Sequence, residues 1–462
     1  MRFVNGVLLA LVAYLAIQLA IGAWLAPKIH TESDYLVGGR SLGYPLTIFS
    51  LFATWFGAET CIASAGRAYE QGFSFTTAEP FAYGLTLMLT GVIFAVPIWR
   101  LKLTTMADFF RLRFDGRVEK LAAVMLIPPG VLWAAAQLRG FGQVLTTVTS
   151  LNIETAIVVA AVFCIGYTVL GGLLADAITD LIQGLVLILG LVLLAVVVVG
   201  NQGGFMAAVS GIDLARISLV GPDVTPTFLG LLEEYAIPIA GSVVAVELLS
   251  RVIAARSPEV ACNGAVIAGG LYVLIGIIPV FLGLVAARMV PDLADAEQFL
   301  PALALQTLPT AGYVIFLGAL ISAVLSTVDT ILLVAGGLAA HNIVGPMFKV
   351  TDDRIKLRLA RIGVLVFGGV ALYLALGGRG VAELVEESSS FGTAGTLVVV
   401  SFGLFTKIGG PAAATMALLG GLASYAGASA FELPYPFLTS LGTAAALYGL
   451  GGLRTRAREH VM

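Results

Sequence analysis

About thirteen apolar runs, each long enough to cross a bilayer as an α-helix, divide this chain of 462 residues, and nothing else constrains its fold as tightly. Spanning the hydrocarbon takes roughly 17–25 residues at the helical rise. The runs fall at about 4–26, 44–68, 78–99, 120–147, 153–170, 175–200, 227–250, 260–287, 311–340, 360–377, 382–405, 410–427 and 434–452, here helices 1 to 13. Charged residues make up only 11% of the chain and hydrophobic ones 59%. A water-wetted surface needs roughly a quarter charged residues, so lipid must be the solvent. The 54 glycines suit close helix packing. Cys61, Cys164 and Cys262 lie within or beside apolar runs, as small packing residues rather than a disulfide framework. The first run is too long for a signal-peptide core, and Pro27 to His30 is no small-residue cleavage site. It is expected to stay as a helix.

The basic residues give the orientation, because cytoplasmic connections collect Lys and Arg. With the N-terminus outside, nineteen of the 25 fall on the inner connections, including Arg251 and Arg256 after helix 7. Five fall on the outer side, and Arg139 lies within helix 4. An odd helix number, N-out and C-in, follows. The connections 99–120 and 342–361 are long and basic; 201–226 and 288–309 are less so. No nucleotide-cradling motif or soluble domain is present in the sequence, and no nucleic-acid or obligate protein partner is implied. His30, His341 and His460 lie in connections or at ends, with no nucleophile–base pairing, so an enzyme is not expected.

Ionisable groups inside the runs cost about 3 kcal/mol or more and need a partner or a task. They are Glu59, Glu79, Arg139, Asp180, Glu233, Glu234, Glu247, Asp329, Glu386 and Glu387, and nine of the ten are acids. Such an interior favours a cation, either a coupling ion or a charged solute, although some acids will sit at helix ends or partner Arg139. Helix 2 is interrupted by small and polar residues between Phe49 and Gly66. That pattern suits a discontinuous transporter helix whose free carbonyls bind an ion, and equally suits tight packing. Helix 9 carries Ser322, Ser326, Thr327 and Thr330, hard oxygen ligands for sodium or hydroxyls bonded back to their own helix. Trp55, Tyr83 and Trp133 fall mid-run rather than at interfaces, where they either hold an ammonium group or pack.

At these residues the chain resembles the sodium:solute symporter family, from Val37 to helix 13. Gly171-Gly172 followed by Thr179-Asp180 and Gln183 is similar to that family's signature, and Ala319 to Asp329 to its sodium-binding helix. The resemblance implies an all-α polytopic membrane protein with the LeuT-type 5+5 inverted repeat, in one transporter domain. Residues 4–26 would be an extra first helix, 44–200 the first repeat, 227–406 the second, and 410–452 two C-terminal helices. It further implies a sodium site built from the carbonyls of Ala53, Phe56 and Ala323 and the hydroxyls of Ser326 and Thr327. Asp180 would be the acid on the inward sodium route.

Within the family the likeness runs to its choline-transporting branch, on Trp55, the Pro80-to-Tyr83 stretch and Trp133, and to its proline-transporting branch. It departs at about Ala245, where the choline branch has a Trp, and at Trp55, where the proline branch has an acid. The expected solute-binding set is Trp55, Glu59, Glu79, Tyr83, Trp133, Gln137 and Glu247. The implied function is sodium-coupled import of a small cationic or zwitterionic solute, choline-like or an amino acid such as proline, across the plasma (inner) membrane. The alternatives are a proton-coupled carrier of the same fold and a solute sensor with a symporter-like domain. The ten residues after helix 13 leave the sensor reading no signalling module. The retained hydroxyls of Ser326 and Thr327 favour sodium over protons.

Overall fold

In lipid every backbone N–H and C=O must be satisfied within the protein, so apolar runs of this length fold as helices. The computed structural model describes residues 2–74, 79–218 and 227–459. Residues 219–226 of the expected 201–226 connection, and His460, lie outside them. Among the described residues nine helices are long and apolar enough to span a bilayer, and a tenth is a bent pair. Further helical segments occupy 228–254, 411–430 and 436–459, where helices 7, 12 and 13 were expected.

The helices are labelled in that order: α1 Arg2–Leu25, α2a Tyr44–Trp55 with α2b Glu59–Gln71, α3 Phe81–Arg100, α4 Gly116–Val148, α5 Ile153–Leu170 and α6 Leu173–Asn201. There follow α7a Phe228–Ala240 with α7b Val246–Ala254, α8 Pro258–Val285, α9 Thr310–Met347, α10 Asp353–Ala375, α11 Val381–Phe405, α12 Pro411–Ala430 and α13 Pro436–Glu459. A two-residue parallel pairing of Phe73–Ser74 with Ile217–Ser218 is the sole named sheet among the described residues.

Burial ranks the helices. The apolar window of α9 is 94% buried and that of α1 only 22%. The central helix packs on α6, α4, α10 and α2a, whereas α1 turns apolar side chains such as Leu9 and Ile17 outward. Two helices break in mid-course. The two halves of α2 meet at 58°; α2a begins with Pro45 in its first turn and ends as Phe56 leaves helical geometry at ψ 66°. Between α7a and α7b, residues 241–245 form a non-helical stretch.

Several expected charges take structural roles. Glu233 accepts from the backbone N–H groups of Phe437 (2.7 Å) and Leu438 (2.8 Å), at the start of α13. Arg139 pairs with Glu297 at 3.6 Å, and Arg379 pairs with Glu387. Arg251 corrects the sequence reading. Counted there among the inner connections, it is a fully buried residue of α7b. The basic-residue asymmetry survives its removal, at eighteen to five.

Candidate solute and ion site

The break in α2 exposes carbonyls that a continuous helix would have used. Ser326 Oγ donates to the carbonyl of Ala53 at 2.8 Å, and Thr327 Oγ1 to that of Thr54 at 2.8 Å. Both hydroxyls also reach the carbonyl of Ala323, at 3.1 and 3.0 Å. Five hard oxygens thus converge between α2a and α9, all on buried residues. A small hard cation suits such a set. Four of the five expected ligands, Ala53, Ala323, Ser326 and Thr327, are brought together. Phe56 stands at the broken end with its backbone turned out of the helix, and the α2 carbonyl that meets Thr327 belongs to Thr54. Ser322, one turn away, faces elsewhere: its hydroxyl meets Tyr14 of α1 and donates back to Gly318 at 2.6 Å.

Beside this pocket lies a buried charged cluster. Asp176, Asp180 and Asp329 bring carboxylate oxygens within 4.8 Å of one another. Arg251 bonds Asp176 and Thr330, lies 3.5 Å from Asp180, and donates from Nε to Ser50 Oγ at 3.0 Å. Ser50 in turn donates to Asp180 at 2.5 Å. Thr330 joins the cluster to the hydroxyl pocket, donating to the carbonyl of Ser326 at 2.9 Å and lying 3.2 Å from Thr54 Oγ1. The base beside Asp180 is thus Arg251, brought from α7b by the fold. Asp176 was absent from the expected set, although its spacing of four from Asp180 puts both acids on one face of α6.

On the other side of α2a, a cavity with about 650 Å³ of empty space, part of it open to solvent, is bounded by α2, α3, α4, α7 and α11. Trp55, Tyr83 and Trp133 line it together, with ring centroids 5.8 Å (Trp55–Tyr83) and 5.3 Å (Trp55–Trp133) apart. Glu59 and Glu247 share its wall with Ser242, Ser388 and Ser389. Glu59 accepts from Trp133 Nε1 (3.2 Å) and Gln137 Nε2 (2.6 Å). Gln137 Oε1 in turn accepts from the N–H of Ala58 (2.7 Å), which the break set free. Gly57 lies in the crook, where a Cβ would sit 2.5 Å from Gln137 Oε1. Tyr83 bonds Ser389 at 3.0 Å. Glu79 is placed differently from the expectation. It accepts from Tyr272 (2.8 Å) and Thr60 (3.3 Å) and lines an adjoining cavity, partly open to solvent, with Arg67, Glu234 and Glu386. The two cavities share Glu59, Tyr83 and Val385. The serines on α7 and α11 were missed: Ser242 is a lone hydroxyl in an apolar run, and the Ser388–Ser390 run was passed over although three consecutive hydroxyls in such a run are a visible signal.

Two broken helices, a central hydroxyl-bearing helix and a cavity between them define a polytopic membrane protein of LeuT-type fold. A solved structure of a substrate-bound, outward-open sodium-coupled sialic acid symporter superposes with a TM-score of 0.84 at 18% identity, covering 97% of this chain and 98% of that one. The sodium:solute symporter family model matches residues 35–421, and the chain belongs to that family. It is 27% identical to a high-affinity choline transporter of Drosophila melanogaster over 81% of this chain, and spans 62% of that transporter's length. It is 26% identical to the sodium/pantothenate symporter of Escherichia coli over 80% of this chain and 79% of that one. These relatives are transporters rather than enzymes.

Proposed function

We propose that the chain is a sodium-coupled symporter that imports a small organic solute with a cationic or zwitterionic head by alternating access. Sodium would bind the carbonyls of Ala53, Thr54 and Ala323 with the hydroxyls of Ser326 and Thr327, and the solute would occupy the aromatic cavity. The observation that carries the reading is the shared backbone of α2a. The Ala53 and Thr54 carbonyls meet the α9 hydroxyls, and the next residue, Trp55, puts its ring into the cavity wall. An ion drawn to those carbonyls fixes the segment that presents the ring, so each ligand strengthens the other's binding. The family and the sodium-coupled structural neighbour support sodium as the coupling ion. Membrane placement follows the basic connections, with the N-terminus outside and the C-terminus cytoplasmic.

Uptake of a panel of radiolabelled amines, amino acids and vitamins into proteoliposomes, with and without a sodium gradient, tests this. Sodium-stimulated, saturable uptake of at least one cationic or zwitterionic solute is expected. Uptake driven by a proton gradient alone, indifferent to sodium, would replace the reading with the proton-coupled one.

A further inference from the structure

Glu247 is the least explained group in the cavity. It is 5% exposed and lines the wall, yet among the described residues no other residue donates a hydrogen bond to its carboxylate. Its one nearby cation by sequence, Arg251, is already engaged by Asp176, Ser50 and Thr330. A buried, unpaired carboxylate aimed into a cavity calls for a cationic partner with N–H groups.

A second carboxylate stands further along the same wall. The carboxylate of Glu59 accepts from Trp133 and Gln137, and from the backbone N–H groups of Gly57 and of Glu59 itself at the break. All of these donors are neutral, and Glu59 forms no ion pair among the described residues, so the charge of its carboxylate is left for a cation to balance. The helix α4 serves as a ruler between the two acids. A Cβ at Gly130 would lie 2.6 Å from Glu247 Oε1, so that acid sits at position 130; Glu59 is held at 133 and 137. These positions share one helix face, and at 1.5 Å per residue the two acids lie roughly 7 Å apart along it. Between them the lining is aromatic, Trp55 against Trp133 and Tyr83.

From this geometry, and resting on the reading of the cavity as the solute site, we propose that the solute is a linear dication. It is a short α,ω-diamine with one ammonium head at Glu247, the other at Glu59, and its methylene chain among the rings. With bonds of about 1.5 Å, roughly four or five carbons fill the gap. Each head also meets an aromatic face, which attracts cations. A quaternary ammonium has no N–H for Glu247, and any monocation leaves one acid uncompensated. A zwitterion would set its own carboxylate against one of the two. The adjoining cavity adds Glu79 and Glu386 against the single guanidinium of Arg67, an acid-rich approach that concentrates cations.

The experiment is competition against sodium-driven uptake in proteoliposomes holding the full chain. The competitors are 1,4-diaminobutane, butylamine, choline and proline, with a ladder of diamines from three to eight carbons. The diamine is expected to compete about tenfold better than butylamine, with an optimum at four or five carbons. In Glu247→Gln, which keeps the side-chain shape, the ratio of diamine to butylamine affinity should collapse toward one. A flat ladder, or butylamine and choline competing as well as the diamine, overturns the proposal while leaving sodium-coupled transport standing. Absence of sodium-stimulated uptake for all four overturns the reading beneath it as well. The wild-type ladder decides the matter even where the variant does not fold.

Discussion

The breaks in α2 and α7 use one device for two purposes. At the α2 break, the carbonyls of Ala53 and Thr54 meet two hydroxyls that also converge on Ala323. Their oxygens gather at one point, so a cation there gains several ligands at once. At the α7 break the freed carbonyls are satisfied singly. Pro238 accepts from Thr86 of α3 at 3.0 Å, and Val243 from Thr90 at 2.7 Å. That break gathers no oxygens; it carries Ser242 and Glu247 to the cavity instead. A broken helix is therefore not in itself an ion site. The neighbouring helix decides, and α9 offers adjacent hydroxyls where α3 offers two threonines a turn apart.

Arg251 ties the two breaks together, running from α7b to Ser50 on α2a and to the acids of α6. Arg251→Met should have the largest effect. It leaves Asp176, Asp180 and Asp329 buried without their guanidinium, and breaking such a network costs about 3–5 kcal/mol. Thermal unfolding in detergent should show that loss directly. A variant as stable as the wild type would mean that the acids carry protons or an ion sufficient to balance one another.

The two break glycines should differ next. A Cβ at Gly241 would lie 2.1 Å from the carbonyl oxygen of Ser389 and 2.3 Å from that of Ile237. Both are backbone atoms, so Gly241→Ala must push α11 away from α7a. About 2–3 kcal/mol of stability should go, with the cavity wall. Gly57→Ala meets only the side-chain ends of Gln137 and Glu59. It should fold within about 1 kcal/mol of wild type but weaken solute binding, because those side chains form the wall. Equal stability losses in the two variants would dissolve the contrast between the breaks.

The ion pocket should respond in sodium affinity rather than stability. Ser326→Ala and Thr327→Ala each remove one hard ligand and leave a good helix former, so each should weaken sodium by about 1–2 kcal/mol, roughly tenfold. Sodium titration of uptake is the measurement. The same substitutions at Thr86 and Thr90 should leave sodium affinity unchanged, since those hydroxyls serve the other break. A sodium shift from Thr90→Ala would show that the two breaks share the ion.

How much of this was legible beforehand depended on whether the signal was local. Apolar runs and the small-residue interruption in helix 2 are local patterns, and they placed the helices and the first break. The hydroxyls of helix 9 stood out as polar residues in an apolar run, but only the family resemblance singled out Ser326 and Thr327 among the four. Arg251 was misplaced because a charge at the end of a run looks like a connection. Only the fold shows three acids from α6 and α9 closing around it. The place of Glu79 in the adjoining cavity was not legible for a similar reason: its partner, Tyr272, comes from α8, far away in sequence. Thr54, whose carbonyl meets Thr327, was not in the expected set, because the phase at which a broken helix ends is set by tertiary packing.

The smallest expected effect falls where the two sites meet, at Trp55. Its ring belongs to the cavity, and its backbone follows directly on the two carbonyls of the ion pocket. Its indole N–H is buried and has no acceptor among the described residues. The ring therefore acts through its face and its bulk rather than through a hydrogen bond. Trp55→Phe keeps an aromatic face against Trp133 and Tyr83 and should cost solute affinity only about 1 kcal/mol, a few-fold. Sodium affinity measured without solute should stay unchanged, because the backbone of α2a is untouched. If the ring carries the coupling, the factor by which solute raises sodium affinity should fall, and the factor by which sodium raises solute affinity should fall equally, as reciprocity requires. Trp55→Ala sharpens the test by removing the face altogether, so that solute and sodium each bind as though the other were absent. If sodium affinity without solute fell with the ring, Trp55 would be holding the helix break itself, and the division of labour between ion and solute at α2 would be wrong.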